Sequence, residues 1–179
     1  VQEGVEDVPV GATGSSGIYV FERRGTVTDV SVGDVVLVTG RVDEIRGLTQ
    51  LEADSVTITG SDSLEPVALT LPIASMDAWE AYENMLVTVS GADDIPLTVN
   101  ETFDLGRYGS LQVASGGRVL TYSQVNTPTD RAAFEAYREA MGLRVLVVDD
   151  GRTNQNPVPL PSFNGEPFSA DNTVRSGYT

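Results

Sequence analysis

Apolar and polar residues alternate with a period of two over most of this chain, the pattern of half-buried strands. Residues 16–22 (SGIYVFE) alternate aromatic and β-branched side chains. Residues 34–45 (DVVLVTGRVDEI) place Val36, Val38 and Val42 on one face and Val35, Leu37 and Arg41 on the other. Gly40 interrupts that run, and glycine inside a strand marks a bulge or a sharp bend. Further strands are predicted at 55–60 (SVTITG), 85–91 (MLVTVSG), 110–115 (SLQVAS), 118–123 (RVLTYS) and 143–151 (LRVLVVDDG). Turns rich in Gly, Asp, Ser and Pro separate them.

Two stretches switch to helical spacing. Near 75–83, Met76, Trp79 and Tyr82 recur at i, i+3 and i+6 behind Ser75, a suitable N-cap. Over 130–141, Phe134, Tyr137 and Met141 form a stripe, Asp130 can cap, and Gly142 falls at the C′ position. Arg131–Glu135 and Glu135–Arg138 are spaced to pair along the exposed face. Aromatic stripes of this kind are read as core contacts. Residues 154–170 (NQNPVPLPSFNGEPFSA) carry four prolines without periodicity, predicting an extended strap packed by Phe163 and Phe168. No fixed-period repeat is present, although the β-rich halves on either side of the first helix suggest two related units.

Charge and missing residue types narrow the chemistry. The 179 residues include 26 acids and 11 bases, giving a net charge of −15, and every base is arginine. Residues 47–106 hold eleven acids and no base, whereas 16–50 are close to neutral. Such acidity favours solubility in salt and repels phosphate backbones. Histidine and cysteine are both absent. That excludes imidazole acid–base catalysis, Ser-His-Asp triads, disulfides and thiolate or histidine metal sites within the chain. No apolar run approaches the roughly 20 residues that span a bilayer, and no basic start leads into an apolar stretch. The opening VQEGVEDVPV reads as the interior of a longer protein.

Several stretches, taken in order, resemble a known family: GSSGIYVFE (14–22), VSVGDVVLVTGRVDEIRGLTQL (30–51), YENMLVTVSG (82–91), LGRYGSLQVAS (105–115), DDGRTNQNPVP (149–159) and the closing RSG (175–177). They are similar to the accessory region of large secreted bacterial nucleases. There, modules like the oligonucleotide/oligosaccharide-binding (OB) fold precede an endonuclease/exonuclease/phosphatase catalytic domain. The resemblance implies an extracellular setting and a mostly β fold, with an OB-like β-barrel unit over 1–71 and a second β-rich unit over 72–179 that holds the two short helices and the strap. It carries over no catalytic residue, because that catalytic domain uses paired histidines. Asn84 stands where the family pattern has glycine, and Tyr178 where the next module begins with aspartate. VQEG at 1–4 resembles the end of an early family strand, so the first barrel would lack most of one strand.

Three kinds of site are open. A single-strand nucleic-acid groove needs exposed aromatics and bases, and Tyr19, Phe21, Arg23, Arg24, Arg41 and Arg46 form the cluster that offers both. Against that, the aromatics can be core, and the arginines can pair with Glu22, Asp43 and Glu44. Calcium takes carboxylates and carbonyls. Its candidates are Asp149, Asp150 and Asn154, then Asp93 and Asp94, then Glu3, Glu6 and Asp7, none at EF-hand spacing. A glycosidase carboxylate pair has no support beyond the number of acids. The expectation is therefore a non-catalytic extracellular module. A missing strand would leave a sheet edge open for self-association into fibres or arrays, with calcium offsetting repulsion, or the module would serve a nuclease by binding nucleic acid.

Overall fold

The computed structural model describes residues 1–4, 14–22, 28–127, 130–158, 166, 168–169 and 171–179. Of these, 34% are strand and 19% helix, so the protein is mostly β. The chain divides into two compact units. One comprises Val1–Ala68 with Asp77–Thr88, and the other Leu69–Met76 with Val89–Thr179.

The first unit is built on a long hairpin. β2 (Asp34–Ile45) runs antiparallel to β3 (Leu48–Ser61), and β1 (Tyr19–Phe21) lies parallel to β3 on its other side, giving the order β1-β3-β2. Arg46 and Gly47 close the hairpin with φ of 56° and 81°, the two positive values that a type I′ turn requires. Register shifts fall at Val35/Val36 and Thr39/Gly40. Both leave the extra residue on β3, at Thr59 and Asp54, which accounts for β3 being two residues longer than β2. Gly40 is required at the second shift, because a Cβ there would overlap the Glu52 carbonyl. The register also keeps Val36, Val38 and Val42 on one face and Val35, Leu37 and Arg41 on the other, as the alternation predicts.

Among the described residues the closed barrel expected from the sequence is not formed. The described strands make three open sheets, none closed on itself. β1 pairs with β3 over only three residues, and β2 has no strand on its outer side among the described residues. Closure needs a continuous ladder around the sheet, and among the described residues no strand joins β1 to β2.

β4 (Val67–Leu71) pairs with β5 (Val87–Gly91). Between them, Met76–Tyr82 forms a 3-10 helix where the helical spacing near 75–83 falls. In the second unit, β6 (Thr98–Glu101), β7 (Leu111–Ala114) and β8 (Val145–Val148) form an antiparallel sheet. The fully or nearly fully buried side chains Leu69, Leu71, Ile73, Leu105, Leu111, Ala114 and Pro157 belong to this unit. The Arg144 guanidinium ties β8 to the turn after β7, donating to the carbonyls of Ser115 and Gly117 at 2.5–3.0 Å.

The helices correct one prediction and refine another. Residues 118–123, expected as a strand, contain no strand. Thr121 instead caps the one-turn helix α2 (Tyr122–Val125) in a box with Gln124, whose Oε1 accepts from the Thr121 N–H at 2.8 Å. The helix expected at 130–141 is α3 (Arg131–Gly142), with Asp130 accepting from the Ala132 N–H at 2.9 Å. Gly142 is its last helical residue and Leu143 its C-cap. Tyr122 meets Phe134 and Tyr137 edge-on at 5.5 and 5.4 Å. Arg131 pairs with Glu135 at 2.7 Å, while Arg138 stands over the Phe134 ring. The short α1 (Leu105–Tyr108) completes the set. Much of the predicted strap, Phe163 included, lies outside the described residues.

Candidate functional site

The first sheet brings part of the predicted aromatic and arginine cluster onto one face. The rows Tyr19–Gln50–Asp43 and Phe21–Glu52–Arg41 run across β1, β3 and β2, and partners in register share a face. Tyr19 and Phe21 are 47% and 42% exposed, so they are not core residues. Arg41 lies in the same row as Phe21 and donates to Glu52 at 3.0 Å. The sequence suggested Asp43 and Glu44 among the partners of the arginines; Arg41 takes the cross-strand Glu52 instead. Arg46 occupies the exposed hairpin tip. Arg23 and Arg24 lie outside the described residues.

The unusual property of this sheet is what it leaves uncovered. On β2, Val35, Leu37, Val42 and Ile45 remain 43%, 64%, 65% and 46% exposed. On β3 and β1 the described residues that are buried are Gln50 and Ala53. Val35, Leu37 and Ile45 lie on one face of β2 and Val42 on the other, and exposed apolar surface along a sheet edge marks where a folded protein meets something else.

At the opposite edge, residues 1–3 lie antiparallel along 16–18. The Val1 and Ile18 main chains exchange hydrogen bonds at 2.8 and 3.0 Å, Gln2 bridges Gly17, and the Glu3 N–H donates to Ser16 at 3.0 Å. Burial lowers the pKa of the Val1 α-ammonium. The turn at 82–86 supports this edge. Ser15 Oγ donates to the Glu83 carbonyl at 2.5 Å, and the Leu86 N–H donates to Gln2 Oε1 at 2.6 Å. Gly17 passes so close to the Asn84 carbonyl that a Cβ would overlap it. Asn84 itself has φ 57°, a left-handed conformation that glycine or asparagine adopts most readily.

Beyond Ile18 this edge opens into a groove of about 310 Å³ lined by Val1, Ile18, Tyr19, Val20, Val30 and Asn84. None of these side chains carries a carboxylate. The Asn84 Nδ2 and the Gln2 Nε2 are both buried without a hydrogen-bond partner. Sequence reasoning missed this groove, and its one visible signal was the asparagine at a glycine position.

The predicted calcium residues are dispersed in use. Asp149 Oδ1 accepts from the Gly151 N–H at 2.8 Å, and Asp150 Oδ1 from the Arg152 N–H at 2.9 Å. The Asp150 side chain is 5% exposed and lies 3.7 Å from the Arg152 guanidinium, so a cation of the protein already stands beside it. Asn154 is exposed. Asp93 and Asp94 are exposed in a short turn with φ of 56° each. Glu3 is exposed, and Glu6 and Asp7 lie outside the described residues. Among the described residues no three acidic side chains converge on a point that could hold a metal. No described helix is long and apolar enough to cross a membrane.

Comparison with family models, with curated proteins and with solved structures gives no match.

Proposed function

We propose that this chain is a non-catalytic extracellular β module that assembles with copies of itself through the open edges of its first sheet. One observation carries this reading. β2 is a 12-residue strand at the edge of its sheet, with four apolar side chains 43–65% exposed. Long apolar edges are the surfaces on which strands from other chains add. The opened sheet, with its bulge at Gly40 and its I′ hairpin, is read as an OB-like module left unclosed. The absence of histidine and cysteine supports a role without catalysis. The acidic surface calls for counterions on assembly, and calcium is the natural one. Light scattering of the wild type against Leu37→Lys tests the reading. Assembly by the wild type and its loss in the variant support it; equal scattering from both removes it.

A second reading has its own observation. Tyr19, Phe21 and Arg41 share one exposed sheet face, the arrangement of a stacking platform for single-stranded nucleic acid. In this reading the module serves a secreted nuclease. The field of a −15 chain opposes it. Binding of labelled single-stranded DNA at low salt, abolished by Arg41→Ala and steeply weakened by salt, would favour this second reading over the first.

A further inference from the structure

We infer that β2 pairs antiparallel with β2 of a second copy, about a twofold axis through Val42. This rests on the assembly reading above and names the partner surface. Which groups of β2 are open to a partner follows from its ladder. The Gly33 carbonyl accepts from the Asp62 N–H at 2.8 Å and the Val35 carbonyl from the Thr59 hydroxyl at 3.2 Å, so these odd-numbered residues face β3. Strand residues turn their N–H and C=O to alternate sides, and both bulges put the extra residue on β3. Val36, Val38, Gly40, Val42 and Glu44 therefore direct theirs away from β3, where no strand lies among the described residues.

The register follows from charge. Two copies of one strand related by a twofold axis pair odd residues with odd and even with even, so each face meets itself. Arg41 and Asp43 share a face of β2, whereas Asp34 and Glu44 lie on the other. Asp43 is thus the one acid of β2 that a second β2 can set opposite Arg41, and it does so when the two Val42 residues meet. Arg41 then faces Asp43 in both directions, in the closer, non-hydrogen-bonded type of pair. The four charges alternate in sign, with like charges on the diagonals. Opposite charges directly across antiparallel strands stabilise the pair, and like charges destabilise it. An axis through Arg41 would set that arginine against itself, and one through Thr39 would set Asp34 against Glu44.

The groups concerned are open to such a contact. The Arg41 side chain is 73% exposed, and a guanidinium carries five N–H groups, so its bond to Glu52 leaves donors for a second carboxylate. Asp43 is exposed, and only its Oδ1 is engaged locally, accepting from the Glu44 N–H at 2.9 Å. Val42, 65% exposed, is covered at the axis. Leu37 comes to lie at the hairpin tip of the second copy, beside Arg46, where a lysine would meet a like charge. The contact is isologous and closes on two copies. It forms the dimer, and larger assemblies grow from the dimer through other surfaces.

The chain has no cysteine, which makes disulfide trapping clean. On oxidation Val42→Cys is expected to cross-link to itself, because residues opposed in a hydrogen-bonded pair lie about 5.5 Å apart, within disulfide reach. Arg41→Asp and Asp43→Arg, each alone, should raise the concentration for half-dimerisation more than about tenfold with unchanged circular dichroism. An equimolar mixture of the two variants should recover the wild-type value, because every facing pair is again opposite in sign. If the wild type assembles while Val42→Cys stays reduced and both charge variants assemble as it does, copies meet elsewhere. This inference then falls while the assembly reading stands. A disulfide between batches carrying Val38→Cys and Val42→Cys, in place of the Val42→Cys self-link, would move the axis to Gly40 and overturn the inference in the same way. A wild type that stays monomeric at every concentration sinks both.

Discussion

At Gly40 the strands of the first hairpin come so close that any side chain would run into the Glu52 carbonyl. Gly40→Val should cost about 3 kcal/mol, the scale of overpacking at a site that cannot relax. Urea denaturation reads this directly, and a loss of about 0.5 kcal/mol or less, the size of an ordinary surface change, would contradict it. Arg41→Ala should behave in the opposite way. Its partner Glu52 sits across the strand, but the Arg41 side chain is 73% exposed, and exposed pairs contribute about 0.5 kcal/mol or less. That variant therefore tests nucleic-acid binding without disturbing the fold. Gly40 was legible in the sequence as a break in an alternating strand. Asn84 was legible only as a departure from a pattern, because a positive φ is a property of the backbone that asparagine permits without announcing. The unpaired amides of Asn84 and Gln2 could not be read at all. Residues 2 and 86 meet there across most of the first unit's sequence.

Alternation was legible in short strands as well as in long ones: β1, β5, β7 and β8, of three to five residues, all fall inside predicted segments. β2 falls where the alternation places it, because twelve residues supply several periods. β4 and β6 were missed, although at five and four residues they match β5, β7 and β8 in length. Residues 118–123 show the reverse failure. Val119, Leu120 and Tyr122 alternate enough to suggest a strand, but the Thr121–Gln124 box decides for a helical turn. Thr121→Ala should accordingly cost about 1 kcal/mol, seen as a lower melting temperature, and no loss at all would show that α2 is held only by Tyr122 against α3. At the β2 edge, Leu37→Lys should leave monomer stability within about 0.5 kcal/mol, since Leu37 is already exposed, while a buried charge at the new interface blocks assembly. A large fall in monomer stability would instead place Leu37 in this chain's own core.

For the molecule as a whole, the energies are finely set. Val35, Leu37, Val42 and Ile45 are about half exposed, so covering them contributes roughly 1 kcal/mol each. Association costs about 4–15 kcal/mol in lost freedom. Covering these side chains is therefore not enough, and ladder hydrogen bonds worth about 0.5–1.5 kcal/mol each must add to it. The eleven acids at 47–106 oppose contact, and screening over about 8 Å at physiological salt does not relieve carboxylates that touch. Millimolar calcium should therefore enlarge assemblies or raise the melting temperature, and magnesium, which sheds water reluctantly, should substitute poorly. Identical behaviour in calcium, magnesium and chelator would leave strand pairing to act alone. The most direct measurement is sedimentation velocity over a wide concentration series in calcium. Self-association through open sheet edges predicts a weight-average mass that climbs steadily past the dimer as concentration rises. A single monomeric boundary at every concentration would contradict it.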